Sequence, residues 1–204
     1  MHLVFKMKKK YLALVLARKE SKRIKNKNIL KLGQNPLVLI TIKKLKKIKN
    51  LFKDILVSSD SSLIEKFSKK EKILFFKRPK YLAKMKTTSA ESAIHAVKKY
   101  VKNYGLIDYI ILFQPTSPFR RNKTVKEAIS LSKKFPLRQI VGADSKDKKP
   151  NGLIYVTPLN TLKKKKSFVL KNFIPLVIKS KKESLDINTK EDFLKAKEFL
   201  KINY

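Results

Sequence analysis

The segment from Leu16 to Asn28 concentrates side chains that bind phosphate. It follows the first apolar run of the chain, and its six basic residues include Arg18, Lys22, Arg23, Lys25 and Lys27. Ser21 and Asn28 add short polar side chains among them. A nucleoside triphosphate needs such donors around its phosphates, whereas the missing glycines and Gly-Lys-Ser/Thr ending argue against a Walker-type loop. On these residues alone, a solvated basic loop remains the alternative.

The segment Gln114-Pro-Thr-Ser-Pro-Phe-Arg120 predicts a rigid turn after a buried strand. Each of its two prolines fixes its own φ and restricts the residue before it. A rigid turn that carries Gln114, Thr116 and Ser117 can hold the hydroxyl groups of a sugar. A purely structural turn is the alternative.

Two further segments carry polar groups that follow predicted strands. Asp186 and Asn188 are alternate residues of a segment that reads as extended, so their side chains point to the same side and can share a cation. Asp60 follows the strand predicted at Asp54–Ser58, and we interpret it as the N-cap of the helix predicted at Ser61–Lys70.

Together these segments resemble the acylneuraminate cytidylyltransferases, which join CMP from CTP to acidic keto-sugars such as N-acetylneuraminic, legionaminic or pseudaminic acid. The specific matches are Ala17-Arg-x-x-Ser-Lys-Arg-Ile-x-x-Lys-Asn28 and Gln114-Pro-Thr-Ser-Pro-x-Arg120. Arg78-Pro-x-x-Leu-Ala83, Pro150-Asn-Gly-x-Ile-Tyr155 and Asp186-Ile-Asn-Thr189 also match. The resemblance runs from about residue 11 to residue 201 and implies a nucleotidyltransferase.

The resemblance implies a CTP site in the first half of the chain. Arg18 and Lys27 would contact the triphosphate and serve as the catalytic cations. Ser21 and Asn28 would hold the nucleotide, and the backbone of Leu16 and Ala17 would read cytosine. Arg78 would reach the phosphates, and Lys22 would add a further donor.

The resemblance also implies a sugar site and a metal site. The residues expected to line the sugar site are Gln114, Thr116, Ser117, Asn151, Tyr155 and Phe168. Asp186 and Asn188 would face a Mg²⁺ ion that bridges the triphosphate. An amide oxygen at 188 can ligate the ion but brings no charge, whereas the family has a second aspartate.

Four departures from the family pattern leave an alternative open. Glu20 brings a negative charge near the phosphates, Met85 falls where the acidic position is lost, and Asn188 replaces a carboxylate. Only residues 144–149 separate Ala143 from Pro150, so the family's dimerisation arm is expected to be absent. A homodimer and the identity of the sugar therefore stay open, as does a degenerate member that binds nucleotide, sugar or a partner protein without turnover.

The elements that position these residues alternate between short apolar runs and amphipathic stretches, which predicts an α/β fold in one domain over residues 1–204. Seven strands are predicted, at Tyr11–Leu16, Asp54–Ser58, Ile73–Phe76, Tyr109–Phe113, Gln139–Ala143, Leu153–Val156 and Ile174–Ile178. Five helices are predicted, at Pro36–Lys49, Ser61–Lys70, Ser89–Asn103, Lys123–Lys134 and Thr189–Lys201. With the resemblance, they imply a three-layer α/β/α sandwich around a mostly parallel sheet, with ligands at the carboxyl ends of the strands.

The composition of the chain limits the kinds of partner that it is expected to bind. The net charge of +36 invites a nucleic-acid interpretation, but only six of the 51 basic residues are arginines and the lysines are spread along the chain. We expect weak, non-specific binding to nucleic acid at low salt, with selective binding as the alternative. No apolar run is long enough to span a bilayer, so no membrane partner is expected. The absence of cysteine suits a cytoplasmic protein, and either Met1 or Met7 can be the start.

Overall fold

A computed structural model describes residues 9–21 and 23–201; Lys22 and both possible start residues, Met1 and Met7, lie outside the described residues. One sheet contains seven strands: β1 (Tyr11–Leu16), β4 (Asp54–Ser59), β5 (Leu74–Lys77), β6 (Tyr109–Phe113), β7 (Ile140–Asp144), β8 (Pro150–Pro158) and β9 (Ile174–Ile178). Their order across the sheet is β5-β4-β1-β6-β8-β7-β9. A small hairpin of β2 (Lys31–Leu32) and β3 (Asn35–Pro36) stands apart.

The central strands are apolar on both faces because helices cover both. In β1, Tyr11, Ala13 and Val15 pack into one core cluster, while Leu12 and Leu14 pack into another. Side chains alternate across a strand, so a strand buried on both faces reads as a continuous apolar run. β1 pairs in parallel with β4 and β6, which aligns the carboxyl ends of these three strands.

Helices form a layer on each face of the sheet. The first core cluster contains side chains from α1 (Leu37–Lys46), α2 (Ser62–Lys70) and α4 (Asn122–Lys134). The opposite cluster contains side chains from α3 (Ser89–Tyr104) and α5 (Leu159–Lys165). Two further helices follow β9, namely α6 (Lys181–Ser184) and α7 (Lys190–Lys201). The expected three-layer sandwich with a mostly parallel sheet is confirmed.

A third apolar cluster attaches the end of the chain to the loop after β1. Ile187, which precedes α7, and Ala196 of α7 pack there with Ile24 and with Leu37 of α1. Thr189 starts α7 as expected, because its hydroxyl accepts from the Asp192 N–H over 3.2 Å and its own N–H donates to Asp192 over 2.8 Å. No helix among the described residues has both the length and the apolar character needed to cross a membrane.

The structure corrects two expectations. Ser61, not Asp60, caps α2, since the Ser61 hydroxyl accepts from the Ile64 N–H over 3.4 Å. β8 extends from Pro150 to Pro158 and runs antiparallel to β6 and β7, because only a short turn joins β7 to β8. Parallel neighbours need a long crossover connection, which residues 145–149 cannot supply.

Candidate active site

An open cleft of about 750 Å³ lies at the carboxyl ends of β1, β4 and β6. Twelve residues that the sequence singled out line it: Leu16, Arg18, Ser21, Lys27, Asn28, Arg78, Gln114, Thr116, Asn151, Tyr155, Asp186 and Asn188. They come from five separate segments of the chain. Tertiary folding therefore brings the expected nucleotide, sugar and metal groups into one cavity.

Three other predicted residues lie behind the wall of this cleft. Ala17 and Ser117 are almost fully buried, and the Ser117 hydroxyl has no hydrogen-bond partner within residues 9–21 and 23–201. Phe168 packs in the core with α3 and α5, and its ring centroid lies 6.2 Å from that of Tyr155. These residues shape the wall from behind. Lys22 lies outside the described residues.

The loop after β1 is folded so that its donors face the cleft. Asn26 has a left-handed backbone conformation and starts a 3-10 turn at Lys27–Ile29. The Asn28 amide then donates to the Arg18 carbonyl over 2.9 Å, which ties the two ends of the loop together. Asp60 accepts from the Lys19 N–H over 2.7 Å. Asp60, directly after β4, therefore holds the loop in place through its side chain and does not cap a helix as the sequence suggested.

Arg78 is a buried cation at the floor of the cleft. The guanidinium donates to the Ser58 carbonyl over 2.8 Å, and the backbone N–H of Arg78 donates to the Ser59 carbonyl over 2.7 Å. Burial lowers the pKa of Arg78 to about 10, against which the Asp60 carboxylate acts. A desolvated cation that already faces the cleft interacts strongly with phosphate.

The segment from Lys84 to Ser92 forms the wall opposite the loop after β1. Arg18 donates to the Lys84 carbonyl over 3.3 Å. Thr88 and Glu91 form a capping box at the start of α3, where Thr88 and Ser92 line the cleft. A Thr-x-x-Glu pattern ahead of an apolar run was the signal for this helix start.

The turn at Gln114 is anchored from below by Arg120. The Arg120 guanidinium donates to the Leu153 carbonyl over 2.7 Å and to the Gln114 carbonyl over 3.1 Å. It also lies 4.9 Å from the centre of the Phe113 ring. Arg120 is 4% exposed and does not line the cleft, so it supports the turn and leaves Gln114 and Thr116 facing the cavity.

Asn151 and Tyr155 enter the cleft from β8, whose pairing with β7 is irregular between Val141 and Ala143. The side-chain oxygen of Asn151 accepts from the Leu153 N–H over 3.2 Å. The buried side-chain nitrogen of Asn151 has no hydrogen-bond partner among the described residues. Burial raises the pKa of Tyr155, and the Asp186 carboxylate adds to the shift. Tyr155 is therefore a neutral hydrogen-bonding group at neutral pH.

Asp186, Asn188 and Lys27 form a hydrogen-bonded chain. Asn188 donates to Asp186 over 2.6 Å and accepts from the Lys27 ammonium over 3.2 Å. Lys27 also donates to the Ile187 carbonyl over 2.9 Å, and the Ile187 N–H donates to the Thr116 carbonyl over 2.8 Å. The 186–188 segment therefore contacts both the loop after β1 and the Gln114 turn.

These residues fit a magnesium ion held by one protein carboxylate. The second carboxylate oxygen of Asp186, Oδ1, is buried and has no hydrogen-bond partner among the described residues. The described residues contain no group of three acidic, His or Cys side chains suited to a metal. Mg²⁺ often binds through one or two carboxylates and relies on substrate phosphates for further ligands. Asp186 Oδ1 can serve as the carboxylate ligand. The Asn188 side-chain oxygen can serve as a second ligand once Lys27 releases it.

Charge is unevenly distributed around the cleft. The lining cations among the described residues are Arg18, Arg23, Lys27, Arg78 and Lys84. All of them belong to the loop after β1 or to the segment after β5. The walls from β6, β7, β8 and the 184–188 segment contribute two acids, Asp144 and Asp186, and no described cation. Asp144 was missed in the sequence, although a carboxylate directly after a predicted strand was a usable signal.

Comparison with known proteins agrees with this geometry. A family model described as "Cytidylyltransferase" matches residues 12–189 of the chain. The chain belongs to the cytidylyltransferase family. This membership confirms the family and the nucleotidyltransferase class that the motifs indicated.

Two relatives illustrate the family. The chain is 33% identical over 150 residues to an N-acylneuraminate cytidylyltransferase of Escherichia coli strain RS218, covering 72% of this chain and 34% of that protein. It is 25% identical over 226 residues to a CMP-N,N'-diacetyllegionaminic acid synthase of Legionella pneumophila, covering 94% and 97%. The chain thus spans about a third of the length of the first relative and nearly all of the second.

The fold also matches solved structures. A CMP:2-keto-3-deoxy-manno-octonic acid synthetase in complex with CTP superposes with a TM-score of 0.74, covering 96% of this chain and 100% of the other. Sequence identity is 11%, so this likeness supports the fold alone.

Proposed function

We propose that this protein transfers CMP from CTP to an acidic keto-sugar of the sialic acid type, such as N-acetylneuraminic, legionaminic or pseudaminic acid. The anomeric hydroxyl oxygen of the sugar attacks the α-phosphorus of CTP. The bond from that phosphorus to the bridging oxygen of the β-phosphate breaks, pyrophosphate leaves, and the hydroxyl proton passes to solvent water. The names of the two relatives support this class of acceptor.

The observation that carries the proposal is the continuity of the cleft. Its cationic walls, with Arg18, Lys27 and Arg78, meet its polar walls, with Gln114, Asn151 and Tyr155. The chain from Lys27 through Asn188 to Asp186 joins the two regions by hydrogen bonds. A triphosphate at the first region and a sugar at the second would place the acceptor hydroxyl beside the α-phosphorus.

Rate acceleration in such a site comes from positioning and from neutralising charge, with little covalent chemistry by the protein. Arg18 and Arg78 hold phosphate oxygens, and Lys27 offsets the charge that develops as pyrophosphate leaves. Leu16 presents backbone groups to cytosine, whereas the Ala17 N–H is already bonded to the Ser58 carbonyl over 3.1 Å. Ser21 and Asn28 fix the nucleotide. Mg²⁺ held by Asp186 and Asn188 would neutralise and orient the triphosphate.

The charge distribution favours one orientation of the acidic sugar. Asp144 repels a sugar carboxylate, and the sugar-side walls offer no described cation to receive one. Lys27 is the cation whose contacts reach the 186–188 segment and, through Ile187, the Gln114 turn. We therefore expect the sugar carboxylate to lie toward Lys27 and away from Asp144.

A second candidate is a protein that binds nucleotide without turnover. Asn188 supports this candidate, because its amide supplies no charge and its oxygen is already engaged by Lys27. Loss of one carboxylate would weaken recruitment of the ion while leaving the cationic half of the cleft intact. Nucleotide binding without chemistry would follow.

Pyrophosphate release distinguishes these candidates. Purified protein is incubated with CTP, Mg²⁺ and each of several keto-sugar acids, and CTP binding is measured separately by calorimetry. The proposal expects CMP-sugar and pyrophosphate in equal amounts with at least one acid, and loss of both in Arg18→Ala. Lys25→Ala is the matched control, because Lys25 is exposed and lies outside the cleft lining. CTP binding without turnover on any acid would establish the second candidate instead.

A further inference from the structure

Gly152 lies where the side chains of Asp186 and Gln114 approach one another. A Cβ atom built on this glycine would lie 2.9 Å from both Cγ and Oδ2 of Asp186. It would also lie 3.1 Å from Oε1 of Gln114. Real Cβ atoms essentially never come within 3.0 Å of such neighbours, so any side chain at residue 152 would displace the Asp186 carboxylate.

The backbone supplies a second reason for glycine at this position. Gly152 has a φ of +80°, in the left-handed region that side chains disfavour. It falls within the irregular stretch of β8, where the pairing with β7 shifts between Val141 and Ala143. Such irregularities redirect side chains next to functional sites. Here the redirected strand passes directly against Asp186.

The Asp186 carboxylate has little freedom to retreat from an added side chain. Its Oδ2 accepts from the Asn188 amide over 2.6 Å, and Asn188 in turn accepts from Lys27 over 3.2 Å. The peptide between them is fixed as well, since the Ile187 N–H donates to the Thr116 carbonyl over 2.8 Å. Moving Asp186 would therefore disturb the Lys27 ammonium too.

We infer that Gly152 is a positioning residue that sets the separation between the Asp186 carboxylate and the Gln114 amide. Its lack of a side chain lets both groups lie against the same point of β8. A group assigned to the ion and a group assigned to the sugar are thus held at one fixed spacing. The inference rests on the proposed function for the names of these ligands, but not for the geometry itself.

The test compares Gly152→Ala with Gly105→Ala. Gly105 has a nearly identical φ of +81°, but its Cβ would lie 3.4 Å from the end of the Lys53 side chain, away from the cleft. Both variants therefore place a side chain at a similar positive φ, and only one carries the contact with Asp186. Crystal structures of the two ligand-free variants are expected to show Asp186 and Gln114 displaced in Gly152→Ala alone. Unmoved side chains in Gly152→Ala would overturn the inference.

Turnover gives a second measurement. We expect Gly152→Ala to lose at least tenfold in kcat and to require several-fold more Mg²⁺, with the KM for CTP within twofold of the unmodified protein. In Gly105→Ala, the kcat, the Mg²⁺ requirement and the KM for CTP should all stay within twofold of the unmodified protein. A Gly152→Ala variant with full turnover and an unchanged Mg²⁺ requirement would contradict the inference. If the unmodified protein has no turnover, the proposed function fails, while the crystal structures still decide the role of Gly152.

A melting experiment covers the case in which Gly152→Ala folds poorly. Removing the carboxylate that the new methyl group meets should relieve the clash, so Asp186→Ala should restore part of the melting temperature that Gly152→Ala loses. The same second change should restore nothing to Gly105→Ala. Equal effects of Asp186→Ala in both backgrounds would show that only backbone strain acts at residue 152, and would refute the positioning role.

Discussion

The ammonium of Lys27 lies 3.2 Å from the Asn188 side-chain oxygen and donates a hydrogen bond to it. This pair connects residues 161 positions apart in the chain. Because Asn188 also donates to Asp186 over 2.6 Å, a single amide mediates between a cation and an anion. The reverse orientation of the amide would place a donor against Lys27 and an acceptor against Asp186. The two hydrogen bonds, from Lys27 and to Asp186, therefore fix the orientation of the Asn188 amide.

Asn188→Asp should lower the Mg²⁺ requirement. A second carboxylate beside Asp186 adds a charged oxygen ligand, and hard cations prefer such ligands. We expect the Mg²⁺ concentration for half-maximal pyrophosphate release to fall by about tenfold. Asn172→Asp is the control, because it adds the same charge at an exposed position outside the cleft. An unchanged requirement in Asn188→Asp would place the ion elsewhere.

Lys27→Arg should extend activity to higher pH. Burial lowers the pKa of Lys27, so its ammonium loses the proton at a lower pH than an exposed lysine does. Activity that depends on this charge then declines on the alkaline side, whereas a guanidinium keeps its charge. Profiles of kcat/KM from pH 7 to pH 10 should show the alkaline decline shifted upward in Lys27→Arg. Exposed Lys25→Arg should leave the profile unchanged, and identical profiles for all three proteins would exclude Lys27 as the titrating group.

Arg120→Met should destabilise the fold. It leaves the carbonyls of Leu153 and Gln114 without their donor in a buried region. Each buried carbonyl that loses its partner costs about 1–3 kcal/mol, and removal of a buried charge offsets part of that loss. We expect the free energy of unfolding in urea to fall by about 2 kcal/mol. Arg138→Met serves for comparison, since Arg138 donates to one carbonyl near the surface, and it should cost less than about 1 kcal/mol. Equal losses would show that Arg120 does not anchor the turn.

Lys44 should make stability rise with pH. Burial, with Arg120 nearby, lowers the pKa of Lys44 from 10.5 to about 8. Between these values the unfolded chain binds more protons than the folded protein, so the unfolding free energy contributed by this group increases as pH rises. Relative to Lys44→Met, the unmodified protein should gain about 1 kcal/mol between pH 7.5 and pH 9.5. Urea unfolding of both proteins measures this, with exposed Lys47→Met as the control; a constant difference would rule out the shift.

Asp144→Asn should improve binding of the acidic sugar. Asp144 lines the cleft opposite the cationic walls, where it repels a sugar carboxylate. Removing that charge should lower the KM for the sugar acid several-fold and leave the KM for CTP unchanged. Asp147→Asn is the comparison, because Asp147 lies in the same turn but pairs with Lys149. A higher KM for the sugar would mean that Asp144 binds the sugar directly.

The sequence predicted most of the sheet, because the strands buried on both faces are continuous apolar runs. Three strands, Tyr11–Leu16, Tyr109–Phe113 and Ile174–Ile178, were predicted with the bounds observed. The antiparallel direction of β8 and the short helices α5 and α6 were missed. α6 is one turn held by a buried Glu183, and such an element leaves no periodic pattern in the sequence.

The sequence by itself determined the family and the types of group in the cleft, because the motif residues are consecutive and their chemistry belongs to the side chain. Only the tertiary structure decided which of them meet. Ser117 and Phe168 turned out to lie behind the wall, while Asp144 and Gly152 turned out to lie at the cleft. The physical reason is that contacts such as Lys27 with Asn188, or Gly152 with Asp186, depend on packing between distant segments, which local sequence patterns do not encode.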